Sequence, residues 1–138
     1  MRIIVAAALM VLAACSATQA AVLTEQETIE FREDAEAHIW RQENWCPVTK
    51  VPELLELYDP VNQRSERFLD DISGTELEAQ YAQAKVEWDE EWGDVMVECV
   101  DPVGVEGRAK VEADVAEYEA LMTRLEGFVQ DVKSRSKG

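Results

Sequence analysis

Val111, Val115, Tyr118, Met122, Leu125, Val129 and Val132 recur at alternating steps of four and three. This is a heptad seam about three heptads long, and a helix carrying it must bury that seam against neighbours. Ala109, Ala113, Ala116 and Ala120 flank the seam and allow close approach. Period-two alternation is absent upstream, and the chain has only 6 Gly and 4 Pro. The expected fold class is therefore all-α.

Three further segments supply partners for the seam. Thr24 and Glu27 have the spacing of a capping box, so a helix is expected from Thr24, with Ile29, Phe31, Ala35, Ile39 and Trp40 on its apolar face. Cys46-Pro47 ends it, because the residue before a proline resists the helical region. Residues 52–72 read as one helical arm broken at Pro60, with Asp59 as the cap of the restart. Ser73-Gly74-Thr75 is a turn, and Thr75 with Glu78 suggests a second capping box. Leu77, Tyr81, Ala84, Trp88, Trp92, Val95 and Cys99 then mark one face of a long helix, and Asp101-Pro102 restarts the chain. An up-down bundle of about four helices joins these segments with short turns. In that topology Cys46 and Cys99 fall at one end, called distal here.

The N-terminus sets the compartment. Met1-Arg2 precedes twelve uncharged residues, Ile3 to Ala14. That is too short for a stable span, which needs about 20, and it has the layout of a secretory signal. Leu12-Ala13-Ala14-Cys15 resembles the lipobox of bacterial envelope lipoproteins, which implies that Cys15 is acylated and becomes the new N-terminus. Ser16 beside it resembles lipoproteins sorted to the outer membrane, facing the periplasm or the cell surface. The competing site is Thr18-Gln19-Ala20, with cleavage before Ala21, which would leave a soluble periplasmic or secreted protein. The expected organisation is a signal peptide over 1–14, a lipidated tether over 15–23, a helical domain over 24–134 and a basic tail over 135–138. Either cleavage removes Cys15 from the thiol inventory. Cys46 and Cys99, fifty-three positions apart, are then expected to form a distal disulfide in an oxidising compartment. Lys133, Arg135 and Lys137 fall at the opposite end, where they would meet lipid headgroups if Cys15 is acylated.

The formal net charge is −16. Such a chain repels phosphates, which argues against nucleic acid as a partner and favours a basic protein, a cation or plain solubility. His38 is the only histidine, and near a helix end it is expected on the surface or at a cap. No GxSxG, HExxH or phosphate-binding glycine loop occurs, and no cofactor is implied. Glu87, Glu91, Asp94 and Glu98 form a carboxylate stripe along the third segment, a candidate site for a divalent cation without the loop of an EF-hand. Trp40, Glu43, Trp45, Trp88, Asp89, Glu90, Glu91 and Trp92 gather at the distal end as a candidate protein-binding surface. The leading expectation is a non-enzymatic envelope lipoprotein, inhibitor- or immunity-like, that binds a partner there. The alternatives are a divalent-cation binder and a small carbohydrate-active enzyme using paired carboxylates.

Overall fold

The computed structural model describes residues 21–44, 46, 49, 51–95 and 107–137. Among these the regular structure is all helical: α1 (Glu25–Asn44), α2 (Pro52–Leu55), a 3₁₀ turn (Glu56–Tyr58), α3 (Asp59–Ile72), α4 (Glu76–Trp92) and α5 (Gly107–Ser136). The four long helices run up, down, up and down. Cys15, Trp45, Glu98, Cys99 and the Asp101-Pro102 start lie outside the described residues.

The capping box of α1 forms in full. Thr24 N donates to Glu27 Oε1 and Glu27 N donates to Thr24 Oγ1, both at 3.1 Å. The second box forms by half. Leu77 N donates to Thr75 Oγ1 at 3.2 Å, but Glu78 Oε2 accepts from Gly74 N at 2.8 Å. Gly74 takes φ of 78°, a left-handed value that a side chain would strain, and this lets the α3–α4 turn stay tight. The break in the second arm is milder than expected. The chain tightens to 3₁₀ before Pro60, and Asp59 has helical φ and ψ rather than acting as the cap.

The α5 seam is the spine of the core. Val111, Tyr118, Met122, Leu125, Val129 and Val132 are buried, with Val115 packed against them. Around it stand Phe31, Ala35 and Ile39 from α1, Tyr58 from the 3₁₀ turn, Val61, Phe68 and Ile72 from α3, and Leu77, Ala84 and Trp88 from α4. Phe31 meets Phe128 edge to face at 5.5 Å between ring centres. Burying a ring of this size contributes about 2–3 kcal/mol by area. Ile29, Trp40, Trp92 and Val95 were expected on apolar faces and are exposed. For Trp92 and Val95 the cause is local: α4 stops at Trp92, before the apolar stripe does.

At the proximal end residues 22 and 23 are docked on the bundle. Leu23 is buried, and Val22 N donates to Glu76 Oε1 at 2.7 Å. α5 continues to Ser136, so Arg135 lies on the helix, where it holds Glu27 at 2.8 Å and Asp131 at 3.8 Å. Lys133 lies 3.8 Å from Asp71. Two of the three charges expected to face headgroups are thus already matched by carboxylates. No described helix is long and apolar enough to cross a membrane.

Candidate functional site

α1 and α4 lie side by side, and their distal halves carry most of the residues expected to form a surface. Trp40 and Trp88, each on a helix flank, meet at 6.3 Å between ring centres, and Trp40 meets Trp92 at 5.5 Å with the rings 81° apart. Trp88 is 6% exposed and belongs to the core, whereas Trp40 and Trp92 are 37% and 38% exposed. The cluster is therefore split, with one ring inside supporting two at the surface. Trp88 Nε1 is buried and has no hydrogen-bond acceptor among the described residues, a group that ordinarily costs about 1–3 kcal/mol when left unpaired.

One face of Trp88 shows what this surface does to a cation. Lys85 Nζ sits 4.9 Å from the Trp88 ring centre, between Glu43 Oε1 at 3.0 Å and Asp89 Oδ1 at 2.9 Å. An ammonium on an indole flanked by two carboxylates is a favourable charge–aromatic arrangement. The protein supplies its own cation on this side.

The other side has a surplus of carboxylates. Glu36 lies one helical turn before Trp40, and burial and the charges of Glu87, Glu91 and Glu33 raise its carboxyl above the usual range. Arg32 offers partial relief, its Nη1 lying 3.5 Å from Glu87, while its Nε is committed to Gln80 at 2.8 Å. Glu90, Glu91 and Asp94 are exposed. Glu36 was not among the residues expected from the sequence. Its signal was the four-residue offset from Trp40, which puts both on one face of α1.

Of the candidate cation stripe, Glu98 lies outside the described residues; Glu87 accepts from Arg32 and Gln83, Glu91 and Asp94 are exposed, and no group of three or more His, Cys, Asp or Glu side chains that would hold a metal occurs among the described residues.

His38 is not at the surface. It is 0% exposed, on the inward face of α1, with Nε2 2.6 Å from Ser65 Oγ and Nδ1 2.7 Å from Tyr81 Oη. Gln42 Nε2 extends the string to Tyr118 Oη at 3.0 Å and lies 3.4 Å from Ser65 Oγ. One polar chain thereby joins α1, α3, α4 and α5. Beside it Arg41 donates to Asp114 Oδ1 at 2.9 Å and stacks 4.6 Å from the Tyr118 ring centre, and Tyr58 donates to Asp114 Oδ2 at 2.6 Å. Burial and Arg41 press His38 down to about 4, so it is neutral at pH 7. A serine bonded to a histidine has the look of an activated nucleophile. With Ser65 3% and His38 0% exposed, the pair has no open face for a substrate and acts as a clasp between helices.

Compared with known proteins, the chain matches no family model, no curated protein and no solved structure.

Proposed function

We propose that this chain is a non-enzymatic lipoprotein of the bacterial envelope that binds a basic protein through the distal face of α1 and α4. The roles that fit are those of an inhibitor or immunity protein. The observation that carries the reading is the exposed Trp40–Trp92 pair set beside Glu36, Glu87 and Glu91. Exposed tryptophans on a rigid, buried support are anchors of the kind that dominate binding energy. The under-neutralised carboxylates beside them favour a positive partner and speed its encounter. Lys85 on Trp88 is an intramolecular example of the contact an incoming lysine or arginine would make.

Anchoring through Cys15 belongs to the same proposal and rests on the lipobox resemblance. So does a Cys46–Cys99 disulfide. Its support is the expected oxidising compartment and the position of Cys46, half-buried just beyond α1; Cys99 lies outside the described residues. The bridge would brace the end of α1 that carries Trp40.

Photo-crosslinking tests the binding surface. A crosslinking amino acid at position 92, in cells carrying the full chain, is expected to trap one basic envelope protein. The same group at position 117, an exposed site on α5, is expected to trap none of it. Equal capture from both positions would overturn the assignment. Labelling with a fatty-acid analogue tests the anchor: the expected label is lost in Cys15→Ser, and equal labelling of that variant would refute it.

A further inference from the structure

α3 and α4 follow one another through the Gly74 turn, yet they leave a cleft of about 410 Å3 between them, floored by α1. Its walls are Ile39, Leu69, Ile72 and Ala82. Leu69 is 38% exposed, so the apolar lining reaches the opening. Ala82 gives this wall only a methyl group, so a larger side chain there would take up part of the space. The volume falls within the roughly 300–1,000 Å3 range of small-molecule sites, and gaps between bundle helices are a usual place for them.

The polar groups of the cleft divide into two sets. On the floor, Tyr81 Oη is bonded to His38 and Gln42 Nε2 to Tyr118, so both are engaged within the protein. At the lip stand Glu43, Glu78 and Lys85. Lys85 is drawn to Glu43, Asp89 and the Trp88 ring. Glu78 accepts only a backbone N–H, from Gly74, and has no cation of its own among the described residues. The lip is thus net negative, in a chain whose net charge of −16 already disfavours anions.

We propose that this cleft binds a small hydrophobic amine, with the hydrocarbon against Ile39, Leu69, Ile72 and Ala82 and the ammonium at Glu78. A carboxylate of the same length would face Glu43 and Glu78 and be rejected. An alcohol would gain the apolar contact without the charge. The site adjoins the Trp40–Trp92 surface through Glu43 and Lys85, but its apolar lining and Glu78 are its own, and neither proposal depends on the other.

An NMR titration of the isotope-labelled chain, purified without reductant and its fold checked by circular dichroism, tests this with octylamine, octanol and octanoate, each below its micelle concentration. Octylamine is expected to saturate a single site and to shift amides within 39–43, 69–72 and 78–85. Octanoate should bind at least about tenfold more weakly, a difference of about 1.4 kcal/mol. Ala82→Phe, at an exposed position on the cleft wall, should weaken octylamine by at least about tenfold by filling the space. Glu78→Gln keeps the acceptor for Gly74 and should weaken octylamine about twofold while leaving octanol unchanged. The Glu78→Gln arm stands even if Ala82→Phe fails to fold. Non-saturating shifts, shifts centred on another face, octanoate binding as well as octylamine, or a folded Ala82→Phe that binds like the wild type would each overturn the proposal.

Discussion

His38 and Glu36 are two residues apart on α1, and their surroundings are opposite. His38 faces inward, is held at both ring nitrogens and is kept neutral by burial and Arg41. Glu36 faces the α1/α4 groove, where Glu87, Glu91 and Glu33 oppose its ionisation. The first region is a polar interior in which each group has found a partner within the protein, and it ties four helices into one register. The second keeps like charges together beside two exposed tryptophans at some expense of stability. A bundle that needed only to fold would not require the second arrangement, and that contrast supports the proposal made from the exposed Trp40–Trp92 pair.

The largest effect is expected at His38. His38→Ala removes a buried ring and strands the Ser65 and Tyr81 hydroxyls, so denaturant unfolding should show a loss of about 3–5 kcal/mol. Glu36→Ala, two residues away, should change stability by less than about 0.5 kcal/mol. Comparable losses from both would dissolve the distinction between the regions.

Acid sharpens it further. His38 binds a proton at about 4 when folded and near 6.5 when unfolded. Between those values the unfolded chain holds more protons, so the stability from neutral His38 is full above pH 6.5 and is lost as pH falls towards 4. The loss should be roughly 3 kcal/mol, read from urea midpoints, and His38→Gln should abolish it. Glu36 acts in the reverse direction. Its folded pKa is raised, so stability falls as pH rises through the range just above 4.5. Glu27, held down to about 2 by Arg135 and the α1 cap, loses its contribution only below pH 4.5, which separates it from His38.

The smallest stability effect is a gain. Glu36→Gln removes the repulsion with Glu87 and Glu91, and at pH 7 it should stabilise the fold by a few tenths of a kcal/mol. A loss of more than about 1 kcal/mol would mean that the carboxylate has a structural partner there.

The two regions also differed in how far the sequence revealed them. The seam from Val111 to Val132 and the Thr24–Glu27 box are local patterns, and they emerge in the structure as a helix face and a cap; the break near Pro60 emerges as a 3₁₀ turn, without the Asp59 cap. His38 was misplaced because its partners are 27 and 43 residues away, and no local period encodes a bond between helices. Trp92 was expected to share the fate of Trp88, since spacing fixes a face but not where the helix ends. Glu36 was missed because its importance comes from α4, not from its own segment.

The most direct test of the account measures association of the crosslinked basic partner with three forms of the chain across ionic strength. One form is wild type. One carries Glu36→Gln, Glu87→Gln and Glu91→Gln with Trp40→Ala. One carries Glu66→Gln, Glu117→Gln and Glu119→Gln, equal in charge change but on other exposed faces. The account predicts a wild-type rate that falls steeply with salt, a rate at least about tenfold lower for the α1/α4 variant, and near-wild-type behaviour for the control. If both triply neutralised forms slow association equally, then only the net charge matters and the α1/α4 face is not the binding surface.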